Sequence, residues 1–81
     1  SEPPQYTIQV GAYKTEANAK QVVNSLLEKG YRAHVNPDLK DGVPLFKVHI
    51  DKFSNKNEAR KLAKKLTTKE NLPSFVTTSI N

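Results

Sequence analysis

Apolar residues recur in this chain with two periods, and each period occurs twice. Tyr6, Ile8 and Val10 alternate with polar neighbours, as do Phe46, Val48 and Ile50, which is the pattern of a strand buried on one face. After Tyr13 and Phe53 the spacing changes to i, i+3, i+4, i+7. It runs through Ala19, Val22, Val23 and Leu26 in the first half and Ala59, Leu62, Ala63 and Leu66 in the second. That spacing predicts one apolar stripe on each of two helices. A shift of 40 residues carries every one of these positions onto its counterpart, so the chain reads as two copies of one supersecondary unit.

The punctuation agrees with this division. Thr15 and Asn55 stand at equivalent points as helix caps, and Glu58, three residues after Asn55, completes a capping-box pattern. Gly30 supplies the left-handed residue that ends the first helix. Asn71 and Pro73 place the end of the second helix near Thr67 or Thr68. A short strand follows each helix, at residues 31–36 and 74–79, rich in aromatic, valine and threonine residues. Pro37, Asp38, Asp41, Gly42 and Pro44 read as a polar loop between the halves, projecting beyond the sheet edge.

The order β-α-β-β-α-β predicts an α+β fold of the ferredoxin-like or RNP-like kind. Right-handed crossovers put both helices on one face of a four-stranded antiparallel sheet, with the first and third strands central. The domain then occupies residues 6–79, with a linker or tail at 1–5 and a short tail at 80–81. The other face of the sheet is bare. Parity assigns it Thr7, Gln9, Leu45, Lys47 and His49, joined by Arg32, His34 and Val76 from the outer strands. Hydrogen-bonding side chains around a few apolar groups suit a sugar polymer with acidic substituents. They also suit any antiparallel sheet that meets water on one side.

Composition narrows the functional classes. At 81 residues the chain is one small domain with a thin core, which excludes a two-domain enzyme and moves any binding site to the surface. It has no cysteine, hence no disulfide and no thiolate chemistry. It has no methionine either, and is expected to be a module of a longer protein. No apolar run approaches the roughly 20 residues of a membrane-spanning helix. The net charge of +5 admits nucleic acid, anionic polymers or membrane surfaces as partners, but much of the excess lies in Arg60, Lys61, Lys64, Lys65 and Lys69, the solvent side of the second helix.

His34 and His49 are the only histidines, and no convergent carboxylate joins them on the bare face. No catalytic residue, metal or cofactor is therefore expected. Single-stranded RNA is the alternative ligand for the same face, since RNA-recognition domains share this topology. Those domains expose aromatics on the first and third strands, whereas Tyr6 and Phe46 fall on the helix side here.

Gln9-Val10-Gly11-Ala12-Tyr13, followed by a helix with Ala19, and Phe46-Lys47-Val48-His49-Ile50 with Phe53, Glu58, Ala59 and Leu66 resemble the SPOR domain, the sporulation-related repeat. The likeness runs from Tyr6 to about Thr78 and implies a noncatalytic module of the bacterial cell envelope, in periplasm or cell wall. Such modules bind peptidoglycan glycan strands stripped of their stem peptides, and target proteins of division, sporulation or wall lysis to sites of remodelling. By position Gln9 matches the family's strand-one glutamine, Ala12 its small or hydroxyl residue, and Lys47 a basic residue that is often arginine. Leu45 falls where some members carry an aromatic, and Val76 on an apolar position of the last strand. With His49 these residues form the expected glycan-binding set: Gln9, Ala12, Leu45, Lys47, His49 and Val76. The resemblance implies a monomer whose partner is denuded peptidoglycan, with no nucleic acid, and with a membrane reached only through another part of a parent protein.

Overall fold

The computed structural model describes residues 5–79, which run β1 (Gln5–Tyr13), α1 (Glu16–Glu28), β2 (Ala33–Lys40), β3 (Val43–Phe53), α2 (Lys56–Lys69) and β4 (Phe75–Ser79). Among the described residues the strands form one antiparallel sheet in the order β2-β3-β1-β4, with β1 and β3 central. The tail assignments at 1–4 and 80–81 lie outside the described residues, and Gln5 already belongs to β1.

The core is built from the repeat. Among the described residues its ten buried apolar side chains are five pairs separated by 40: Ile8 and Val48, Val10 and Ile50, Ala19 and Ala59, Val23 and Ala63, Leu26 and Leu66. Each pair occupies one position in both copies, so one layer of side chains joins both helices to the two central strands. Val22 and Leu62 are half-buried at the margin of this layer, with Tyr6, Tyr13, Phe46 and Phe53 packed around it.

Two bulges, at neighbouring points of the two copies, interrupt the β1–β3 pairing. One register shift lies between the pairs Gln9–His49 and Gly11–Val48, where β1 carries the extra residue. The other lies between Tyr6–Phe53 and Ile8–Ile50, where β3 carries it. A bulge resets the alternation of side chains. That is why Val10 and Tyr13, three residues apart, both face the helices, as do Ile50 and Phe53. A Cβ on Gly11 would lie 2.8 Å from the Tyr13 hydroxyl oxygen and 2.9 Å from a ring carbon, so glycine is what lets the Tyr13 ring fold back over the first bulge. The second bulge holds Asp51 at φ +57°, the left-handed region. Asp51 tolerates it because its Oδ1 accepts the Lys52 N–H at 2.9 Å, while its carbonyl accepts the Thr7 hydroxyl at 2.7 Å.

The helix ends follow from local hydrogen bonding. Thr15 caps α1 by accepting the Asn18 N–H, and Asn55 caps α2 by accepting those of Asn57 and Glu58. Gly30, at φ +95°, closes α1 with Tyr31 N–H donating to Leu26 O and Gly30 N–H to Leu27 O, both at 3.0 Å, a Schellman ending. Helix α2 passes the expected stop at Thr67 or Thr68 and continues to Lys69. The hydroxyls of Thr67 and Thr68 donate back to the carbonyls of Ala63 and Lys64, each at 2.9 Å, and so stay compatible with the helix. Lys29 at the end of α1 forms an ion pair with Glu70 at the end of α2, and the Tyr31 hydroxyl donates to the second Glu70 oxygen at 3.4 Å.

The link between the halves is a hairpin rather than the projecting loop expected from its polar residues. Strand β2 runs on through Pro37 and Asp38 to Lys40, and β3 begins at Val43. The two-residue turn is Asp41-Gly42 with φ of +53° and +77°, the left-handed pair that a type I′ turn requires. Pro37 sits on an edge strand, and Pro44 lies beyond the last β1 partner of β3, so neither proline removes a needed sheet hydrogen bond.

Candidate functional site

The face opposite the helices carries one row of four side chains across the whole sheet. His34 on β2 pairs with His49 on β3, His49 pairs with Gln9 on β1, and Gln9 pairs with Phe75 on β4. Directly paired residues share a face, and at about 4.8 Å per strand the row spans about 14 Å. A second row alongside it runs Asn36, Lys47 and Ala12. Gln9, His34, Asn36, Asp38, Lys47 and His49 contribute to a groove of about 410 Å³. Two apolar groups on the same face lie outside the lining of this groove: Phe75, 55% exposed on the edge strand β4, and Leu45, half-buried near the hairpin across from Asp38.

The structure brings together five of the six expected residues: Gln9, Ala12, Leu45, Lys47 and His49 all lie on this face. Val76 does not. It pairs with Ile8, which fixes it on the helix side, where it packs against the core. The aromatic that does face outward on β4 is its neighbour Phe75, which the sequence reading missed. A signal for it exists, because α2 is one residue longer than α1, so the second half slips from a shift of 40 to 41 beyond the helix. That shift maps the core-packed Val35 onto Val76 and the outward His34 onto Phe75.

Three further positions change the chemistry expected of the face. Thr7 points to it but is buried, with its hydroxyl committed to the carbonyls of Asp51 and, at 3.2 Å, Ile50. Asp38, placed by its composition in a loop, stands on β2 and pairs with Lys47 at 2.9 Å. The Lys47 contact, helped by the Leu39 N–H, holds the Asp38 carboxyl below its ordinary range. Arg32 lies just before β2, exposed, with its carbonyl accepting the Asp51 N–H at 2.9 Å.

His49 occupies the middle of the groove floor. Burial depresses its pKa, and His34 and Lys47 add to the effect. The two imidazole rings meet edge to face with centroids 5.9 Å apart. Among the described residues no group of three or more His, Asp or Glu side chains is placed to hold a metal ion. Tyr6 and Phe46, the positions where an RNA-stacking surface would need exposed aromatics, pack on the helix side.

The SPOR domain model matches residues 2–78, and the chain belongs to that family. It is similar to the solution structure of the peptidoglycan-binding domain of the B. subtilis cell wall lytic enzyme CwlC. Sequence identity is 34%, with 99% of this chain and 95% of that one covered, at a TM-score of 0.78. The SPOR protein DedD shares the fold at a TM-score of 0.69 and 20% identity, over 93% of this chain and 39% of that one. No curated protein matches the chain.

Proposed function

We propose that this domain binds peptidoglycan glycan strands lacking stem peptides in the groove of the open sheet face. It acts without catalysis, as a monomer in the bacterial cell envelope, and directs a parent protein of division, sporulation or wall lysis to sites of wall remodelling. The observation that carries the reading is the cross-sheet row: the amide of Gln9 and the imidazoles of His34 and His49 in line with the exposed Phe75 ring. Sugars present hydroxyls and acetamides at their edges and apolar C–H faces, which this mixture complements. The 34% identity to a domain described as peptidoglycan-binding supports the ligand class. Removing the stem peptide exposes lactyl carboxylates, for which Lys47 and Lys52 supply cations beside the row.

The test is co-sedimentation with purified sacculi before and after amidase treatment, with single-stranded RNA as a control. Binding should rise after treatment and exceed binding to RNA at physiological salt, and soluble muropeptides should not be released. Gln9→Glu and Lys47→Ala should fold normally and each bind treated sacculi several-fold more weakly, since a lost polar or charged contact costs about 1–3 kcal/mol. Undiminished binding by the folded double variant would move the site to the basic face of α2. Tighter binding to RNA than to glycan would replace the ligand.

A further inference from the structure

The central imidazole holds the one buried side-chain nitrogen or oxygen without a hydrogen-bond partner among the described residues, His49 Nε2. The other ring nitrogen, Nδ1, lies 3.4 Å from Asn36 Nδ2. An amide nitrogen only donates, so with the Asn36 amide in this orientation Nδ1 is the acceptor and the neutral ring carries its proton on Nε2. Buried N–H groups are almost always paired, and an orphan at the floor of a groove points to an acceptor supplied from outside.

We propose that His49 Nε2–H is the recognition donor of the groove, giving a hydrogen bond to a neutral oxygen of the bound sugar, either an acetamide carbonyl or a hydroxyl. This assignment rests on the glycan reading and makes it more specific. It divides the recognition between two chemistries: Lys47 meets the carboxylate, and His49 reads a neutral acceptor. The surroundings of the ring fit a neutral donor. From β2 it faces His34 and Asn36, from its own strand Lys47, and from β1 the uncharged Gln9. The acid in the groove lining, Asp38, is paired with Lys47, so no free carboxylate of the groove favours an imidazolium. His49 is 8% exposed whereas His34 is exposed and on an edge strand, so His34 is the ring that turns outward when the ligand reaches Nε2.

Two measurements test this, one of them independent of any ligand. Long-range ¹H–¹⁵N NMR at neutral pH should show His49 as the neutral Nε2–H tautomer. A ring protonated on Nδ1, or on both nitrogens, would overturn the assignment. His49→Leu keeps the bulk and removes the orphan, so its unfolding midpoint should equal or exceed that of the parent, while binding to amidase-treated sacculi falls roughly tenfold. His49→Gln places an amide donor near the Nε2 position and should recover most of the affinity. Loss of both stability and binding in His49→Leu, with no recovery in His49→Gln, would make His49 a structural residue and overturn the proposal. If the unsubstituted domain fails to bind treated sacculi, the glycan reading fails. If it binds and His49→Leu binds equally well, only the role of His49 does.

Discussion

Lys47 and Asp38 show how one contact tunes the groove. Lysine brings a point charge without the two-pronged geometry of arginine, and here that charge is shared with a carboxylate 2.9 Å away on the neighbouring strand. In the proposed complex a glycan carboxylate competes with Asp38 for the same ammonium. Asp38→Asn keeps the oxygen that accepts the Leu39 N–H at 2.8 Å and removes the competing charge. It should therefore leave the fold intact and tighten binding to amidase-treated sacculi by about two- to fivefold, the modest range of a solvent-exposed ion pair. Sedimentation titration at low and high salt checks this, since the gain should shrink as salt screens the charges. Weaker binding by Asp38→Asn would show that Asp38 positions Lys47 rather than occupying it. The ion pair was not legible in the sequence, because proline, aspartate and glycine in residues 37–44 resemble a loop. The informative residues were Asp41-Gly42 alone, whose left-handed pair makes a hairpin and carries Asp38 onto the sheet.

At the scale of elements, the repeat fixes which positions bear stability. Leu26 and Leu66 are equivalent and fully buried, whereas Val22 and Leu62, also on the helical stripe, are half-buried at its margin. Leu66→Ala should destabilise by about 2–5 kcal/mol, and Leu62→Ala by clearly less, because its partly exposed site can relax into solvent. Denaturant unfolding of the two variants decides it, and equal losses would mean that the stripe is buried more evenly than its exposure indicates. Periodicity revealed the stripes, the strands and their pairing because each is a simple repeat of apolar positions. It could not reveal the bulges at Val10–Gly11 and Asp51–Lys52, which break the period that strand recognition relies on. Ala12 reaches the open face only because of the first bulge, and by strict alternation from Gln9 it would face the helices. Val76 failed for a related reason: the parity of a short strand means nothing until its register is known, and one extra residue in α2 sets that register.

Across the whole molecule, the titrating groups that are shifted by the fold all favour neutral to mildly alkaline solution. Burial, and then the charges of His34 and Lys47, lower the pKa of His49 from 6.5. The unfolded chain therefore takes up this proton first, and stability present above about pH 6.5 is lost as pH falls through the folded value. The carboxyls of Asp38 and Glu70 are lowered from 3.8 and 4.5 by hydrogen bonds from Lys47 and Lys29, so their contributions disappear at still lower pH. On the alkaline side Lys29 is raised from 10.5 by its hydrogen bond to Glu70, and Tyr31 from 10.0 by desolvation and the same carboxylate. A raised lysine stabilises the fold below its unfolded pKa and ceases to do so as pH climbs through the folded one. A raised tyrosine acts in the same direction, because the unfolded chain ionises first. The thermal midpoint should thus be flat from about pH 7 to 10 and fall on both sides, with the first acid step belonging to His49. His49→Leu should flatten that step below about pH 6.5 while leaving the later carboxylate step in place. Scanning calorimetry of both proteins across this range tests the assignment, and an acid step of equal size in the leucine variant would transfer it to groups other than the groove imidazole.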